Sequence, residues 1–541
     1  MINQVNKRKI RLLSLVLLLL LTVVITGLMT GSGLFGKDTS IISIIRQPPE
    51  APVNSIIPKP VVYKESNGVF TLTSTARIYV HGSSTKETKE ILNIGQYLAD
   101  ALNPSTGYDI RVSFSDEPQA GGIYLTTINS PGLGDEGYQL SVSPFGVKLS
   151  AFSPEGLFRG VQTIKQMLPA KIAKGTVSSN TDWIIPCAEI IDYPSYAYRG
   201  MMLDVARHFF TVGEVKLMID RMAEYKMNQF HLHLTDDQGW RLEIKSRPKL
   251  TSIGGSSEVG GGGGGYYTQE DYLDIIRYAN SRYITVIPEI DLPGHCNAAL
   301  ASYGELNPDG VRKELYTGID VGFSSLMCRS EVTYDFVDDV IGELASLTPG
   351  DYIHIGGDET SSTPIDDYNY FMGRVNEIVK HYGKKVIGWN PMDESEGIAS
   401  DAVLQNWNLK ISSALSKDMK IIQSPSMKAY LDMKYDDTSP LGLIWAGLIP
   451  TDTAYQWDPS DYSPAKSILG IECPLWSETI ETMDDMEYLA FPRLLGYAEI
   501  GWTPKELKEW KEYKLRLKDH ALRMTYQGIN YYKDPVVGWE S

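Results

Sequence analysis

Cysteine is scarce in this chain. Its 541 residues hold four, Cys187, Cys296, Cys328 and Cys473, and their spacing matches no metal knuckle. That count excludes a disulfide scaffold. Cys296 and Cys328 pair only if their loops meet; otherwise the thiols are free and buried. Long runs of like charge are missing too. The net charge of −17 is spread over the surface, which favours solubility and argues against nucleic acid as a partner. No glycine-rich phosphate turn is present either. The Gly260–Gly265 run lacks the lysine and following helix of a phosphate cradle and reads as a flexible loop.

What is present is a large globular chain, 43% hydrophobic and 22% charged, too long for one ordinary domain. Ten Trp and 32 Tyr supply many flat apolar faces, which suit sugar rings as well as cores. Lys7, Arg8, Lys9 and Arg11 precede an apolar run, residues 12–29. This is an export signal or a membrane anchor, with the bulk of the chain outside the cell. The run approaches bilayer length and no clear Ala-x-Ala site follows, which favours an uncleaved anchor. Residues 31–59, with Gln47-Pro-Pro-Glu-Ala-Pro, read as a stiff linker.

From Val61 to Ile190 short β-like runs alternate with polar turns and two helical patterns, Lys86–Leu102 and Ser153–Leu168. Residues 60–192 are thus expected to form a small α+β domain without acid/base chemistry. Residues 193–541 change to a strand-then-helix rhythm. The expected strands are Gly200–Val205, Gln229–Leu234, Ile284–Ile290, Tyr352–Ile355, Lys385–Gly388, Val403–Asn406, Lys420–Gln423 and Leu469–Glu472. Thr211-Val-Gly-Glu214 is a capping box that opens a helix, and Thr268 opens another. Eight such units fit a (β/α)8 barrel; a doubly wound sheet is the alternative.

Barrel enzymes carry their chemistry at the C-terminal strand ends. Read in order, those ends supply Asp204 with Arg207 and His208, then His231, His233, Asp236 and Asp237, then Glu289, Asp291 and His295. The fourth strand runs through two glycines into adjacent acids, Asp358-Glu359. Trp389, Trp407, Tyr430, Asp432, Trp476 and Glu478 follow. If the acids lie on a regular strand they point to opposite faces, so they cannot serve as a facing glycosidase pair. Each tryptophan alone reads as core, and Arg207 alone as a rim ion pair. Their convergence looks like a saccharide site, where Arg and carboxylates hold hydroxyls and indoles pack on a pyranose face. A rival chemistry is a zinc site from His231, His233, His295, His354 and an Asp, although no bridging lysine follows the fourth strand.

Four segments carry a resemblance: Asp204-Val-Ala-Arg-His-Phe-Phe210, Phe230-His-Leu-His-Leu-Thr-Asp-Asp-Gln-Gly-Trp240, Pro288-Glu-Ile-Asp-Leu-Pro-Gly-His295 and His354-Ile-Gly-Gly-Asp-Glu359. In this order they resemble glycoside hydrolase family 20, the β-N-acetylhexosaminidases, from about Val61 through the barrel. The resemblance implies substrate-assisted catalysis, in which the substrate's 2-acetamido oxygen is the nucleophile. It implies Glu359 as acid and then base, Asp358 as the group that orients the acetamido N–H, and Tyr430 as donor to its oxygen. Arg207 and Asp236 are expected near the 3- and 4-hydroxyls, and Asp432 and Glu478 at the outer hydroxyls. Trp389, Trp407 and Trp476 are expected as walls, with His295 beside Asp236 in support of the acid. No metal or cofactor is expected. The expected partner is a glycan ending in GlcNAc or GalNAc. The alternatives are an anchored sugar-binding protein without turnover and a metal-dependent barrel hydrolase.

Overall fold

The computed structural model describes residues 55–539. The expected signal or anchor and residues 31–54 of the linker lie outside that range. No helix among the described residues is long and apolar enough to cross a membrane.

The leading domain is a seven-stranded sheet in the order β1-β7-β5-β6-β4-β2-β3. Its strands are β1 (Val62–Thr71), β2 (Ile78–His81), β3 (Val112–Phe114), β4 (Ile123–Thr127), β5 (Tyr138–Ser143), β6 (Gly146–Ala151) and β7 (Ile184–Asp192). Helix α1 (Thr85–Thr106) is opened by the Ser84 side chain, which accepts from Glu87 N–H, and is closed by left-handed Gly107. Its buried Ile91, Ile94, Leu98 and Leu102 recur at helical spacing. In α2 (Pro154–Met167), Gly160 lets the helix approach the sheet: a Cβ there would lie 2.3 Å from Leu149 Cδ1.

The second domain is a closed barrel of eight parallel strands, β8 to β15 in chain order, with the last pairing to the first. They are β8 (Tyr198–Asp204), β9 (Gln229–His233), β10 (Thr285–Glu289), β11 (Tyr352–His354), β12 (Lys385–Trp389), β13 (Val403–Asn406), β14 (Lys420–Gln423) and β15 (Ile468–Leu475). Every expected barrel strand is present, and β15 runs on beyond its expected end. The outer helices include α3 (Val212–Glu224), α4 (Gln269–Asn280), α5 (Glu331–Leu347), α6 (Ile365–His381), α7 (Arg493–Trp502) and α8 (Trp510–Tyr526). The Thr211/Glu214 capping box opens α3, whose Val215, Met218, Ile219 and Met222 are buried. Burial of such side chains stabilises by about 1.5–3 kcal/mol each.

Two relationships position the site. First, strand register sets Asp204, His233, Glu289 and His354 side by side on β8 to β11. Parallel pairing thereby turns four separate motifs into one polar layer. Second, the seam between the two domains is held by buried ion pairs. Glu136 meets both Arg159 and Arg199, and Lys226 Nζ lies 2.8 Å from Asp192 Oδ2. Charges removed from water this far are tolerable only when paired in this way.

The linker ends earlier than expected. Ile56 and Ile57 are buried, and Ile57 N–H donates to Gln166 Oε1 at 2.9 Å. Arg516 and His520 on α8 bond the carbonyls of Ile56 and Ser55 at 3.0 and 2.7 Å. Residues 55–59 therefore belong to the folded unit: two isoleucines find an apolar seam, and their backbone groups find partners there.

Candidate active site

Strand β11 ends at His354, so Asp358 and Glu359 do not lie on a regular strand. Gly356 and Gly357 take φ of +65° and +99°, and Glu359 itself +44°. A Cβ on Gly356 would sit 1.7 Å from Asp291 Oδ1. Only glycine permits this turn, whose N–H groups bond His354 Nδ1 and Asp291 Oδ1, each at 3.1 Å. The opposite-face expectation is thus corrected. The turn brings both acids to the same cavity of about 340 Å³.

The two carboxyls differ in environment. Asp358 is buried, with Oδ1 lacking a hydrogen-bond partner, whereas the Glu359 side chain is 38% exposed. Burial, with the neighbouring Glu359 and Glu289 charges, pushes Asp358 up to about 6 against the pull of His295. Asp291 is pushed well above the carboxylate range, first by burial and then by Asp358. Glu359 Oε2 lies 3.5 Å from His295 Nε2, and His295 Nδ1 lies 3.2 Å from Asp236 Oδ1. Burial pulls His295 down, but Asp236 and Asp291 outweigh it and raise the ring well above its ordinary range.

Asp236 does not itself reach the cavity. It is 1% exposed, and its Oδ2 is taken by Arg207 at 2.8 Å and His233 at 3.1 Å. The expectation that it binds a sugar hydroxyl is corrected: a carboxylate with this many internal partners orients them instead. Arg207 does line the cavity, braced by Asp204 at 3.2 Å and stacked 4.9 Å over Trp476.

The aromatic lining is Trp407, Tyr430, Trp476 and Trp445. Trp445 stands edge-on to Trp407 and Tyr430, with centroids 6.1 and 5.7 Å away. It is 55% exposed at the rim. Trp389 is not a wall. It is wholly buried, 5.8 Å from Trp476, with its indole N–H donated to Glu289 Oε1 at 2.9 Å. Trp389 supports Trp476 from below. Trp445, Ile319, Val321 and Leu443 also line the cavity. They escaped sequence reasoning because all four lie outside the strands. The only signal was an unusually apolar loop, Leu441-Gly-Leu-Ile-Trp-Ala-Gly-Leu-Ile449, with Trp445 at its centre.

Glu478 lines another edge of the cavity, and Asp432, 1% exposed, lies behind that lining within reach of the Glu478 charge. Both Asp432 oxygens and Glu478 Oε2 are buried without hydrogen-bond partners. Burial raises both carboxyls, and the Glu478 charge raises Asp432 further. Unpaired buried acceptors are costly, which sets these oxygens apart from the internally paired ones of Asp236.

The histidines considered for zinc are each held by protein groups. His231 lies 2.9 Å from both Glu289 and Glu472, and His233 lies 2.5 Å from Glu289. His354 stacks on His231 at 4.5 Å. All four cysteines are buried and free, Cys296 and Cys328 included.

Comparison with known proteins matches this architecture. Residues 53–193 fit the model of glycosyl hydrolase family 20, domain 2, and residues 196–368 and 362–505 fit that of the family 20 catalytic domain. A β-N-acetylhexosaminidase of Cellulomonas fimi is 37% identical over 90% of this chain and 97% of its own length. The solved family 20 β-N-acetylhexosaminidase of Streptomyces coelicolor A3(2) superposes with a TM-score of 0.86 at 47% identity. That match covers 90% of this chain and 99% of the other. The Streptomyces plicatus N-acetyl-β-hexosaminidase, solved with Thio-NAglucal, matches at the same identity and TM-score over 90% of this chain and 98% of that one. Through both of its folded domains, this chain belongs to glycosyl hydrolase family 20 and is a glycoside hydrolase of the β-N-acetylhexosaminidase type.

Proposed function

We propose that the enzyme removes terminal GlcNAc or GalNAc from β-linked oligosaccharides with retention, through an oxazolinium intermediate. One observation carries this reading. Asp358 and Glu359 open on one cavity from adjacent positions, one buried and one half open and backed by His295. Adjacent carboxyls of such different character suit two separate tasks better than a facing acid–nucleophile pair.

In the first step the acetamido oxygen of the substrate attacks the anomeric carbon. The bond to the leaving oxygen breaks, and Glu359 gives that oxygen its proton. Ionised Asp358 accepts the acetamido N–H and balances the positive charge that develops there, and Tyr430 donates its hydroxyl to the acetamido oxygen. In the second step Glu359 takes a proton from water as the water adds to the anomeric carbon and the oxazolinium ring opens. Two inversions give net retention. Arg207, Asp432 and Glu478 take the ring hydroxyls, and the indoles of Trp407 and Trp476 pack on the sugar's apolar face.

The variant Glu359→Gln tests the acid. On a chitooligosaccharide its turnover falls by about 10²–10⁴-fold, the usual worth of general acid catalysis. On an aryl glycoside with a good leaving group the first step falls far less. Full activity on the oligosaccharide overturns the assignment, and release of the α-anomer as first product overturns retention. The basic-then-apolar segment at residues 7–29 supports export, with the catalytic unit outside the cytoplasm. Fractionation of producing cells tests this: activity confined to the cytosol sinks it.

A further inference from the structure

Beneath the cavity the barrel interior holds more charge than the reaction uses. Starting at Glu359, carboxylates and imidazoles alternate into the protein. Glu359 meets His295 at 3.5 Å, His295 meets Asp236 at 3.2 Å, and Asp236 meets His233 Nε2 at 3.1 Å. His233 Nδ1 then meets Glu289 at 2.5 Å, Glu289 meets His231 at 2.9 Å, and His231 meets Glu472 at 2.9 Å. Tyr198 closes the far end with a hydrogen bond to Glu472. Every member except Glu359 is buried.

Such an arrangement is expensive unless it is needed. Replacing a buried ion network with apolar side chains is often neutral or stabilising. The strand register that sets His233 between Asp204 and Glu289 is therefore informative. We propose that His233, held between Glu289 and Asp236, is a positioning residue for the general acid: through Asp236 and His295 it sets the pH range over which Glu359 works.

Among the described residues Asp236 is the one carboxylate bonded to His295 Nδ1, and its charge is divided among Arg207, His233 and His295. A positive His233 draws on Asp236 and weakens its hold on His295. Removing that charge leaves His295 more firmly paired and the potential at Glu359 more negative, so Glu359 keeps its proton to higher pH. His233 is surrounded by groups that favour its charged form. Asp204 faces it from β8, Glu289 from β10, Asp236 from the following loop, and Asp291 lies within the same cluster. The edge of Trp476 meets its ring at 4.9 Å, and His231 shares its strand and Glu289. In line with this geometry, Glu289 and Asp236 raise His233 well above the ordinary histidine range despite burial. His354, in the same layer, is shifted the other way, lowered chiefly by burial.

The inference rests on Glu359 being the acid, so His233→Gln is measured alongside Glu359→Gln. On a chitooligosaccharide, His233→Gln moves the alkaline limb of kcat upward by on the order of one pH unit, with KM nearly unchanged. An unmoved limb, or a loss of kcat equal at every pH, overturns the role of His233 while leaving the acid assignment intact. Retained activity in Glu359→Gln overturns that assignment instead. Should His233→Gln fail to fold, ¹⁵N-histidine spectra of the unaltered enzyme decide. His233 doubly protonated through neutral pH supports the inference, and a neutral ring at pH 7 overturns it.

Discussion

Gly357 donates its backbone N–H to Asp291 Oδ1 at 3.1 Å, so the turn that presents the acid pair is fastened to the loop after the neighbouring strand. Asp291 is the residue that a side chain at Gly356 would strike. The same carboxyl thus sets the path of the turn and forbids a larger residue at Gly356.

Gly356→Ala is accordingly expected to damage both stability and catalysis. The left-handed backbone costs an alanine about 1–2 kcal/mol, and displacement of Asp291 adds to that. Urea unfolding should show a loss of more than about 1 kcal/mol. Kinetics should show kcat falling more than KM rises, because the acids move relative to the reacting atoms.

Asp358 links activity to pH. Held at about 6, it is ionised only above that value, so the acid limb of kcat/KM is expected near pH 6. The stability consequence runs the other way. A carboxyl raised in the folded state favours folding while protonated, and that contribution is lost as pH rises through the folded value. The loss by pH 8 is on the order of 2–3 kcal/mol. Asp358→Asn should therefore melt higher than the parent at pH 8, with the gain vanishing toward pH 4, while first-step turnover collapses. Calorimetry at both pH values checks it.

Trp445 presents a half-open indole at the cavity rim. Trp445→Ala should raise KM for chitooligosaccharides about tenfold, in line with the loss of one stacking surface. KM for a small aryl glycoside should change little. Equal losses on both substrates would place Trp445 among the groups that hold the terminal sugar instead.

Much of this was readable in the sequence because the barrel strands are short apolar runs that end in polar residues. Asp204, His233 and Glu289 sit at such ends, and the register aligns them. The misplacements share one cause. Asp236 and Trp389, which the resemblance implied would face the ligand and which stand at strand ends, are both consumed by internal partners. A one-dimensional pattern does not say whether a polar group looks inward to another polar group or outward to the cavity. Trp445, Ile319 and Val321 were missed for the opposite reason: loops have no period from which to infer a face. The Gly356-Gly357 turn was visible as two glycines, but its effect on the direction of Asp358 and Glu359 depends on φ values that the letters do not contain.

The grip on the entering chain has a mechanical meaning. Ile57 exchanges two hydrogen bonds with Gln166 on α2, at 2.9 and 2.8 Å, while Arg516 and His520 hold the two preceding carbonyls from α8. These bonds are shared between one helix of each domain, and none of them involves a barrel strand. Any displacement of the entering chain therefore acts first on bonds to the outer helices and not on the strand ends that carry the acid pair.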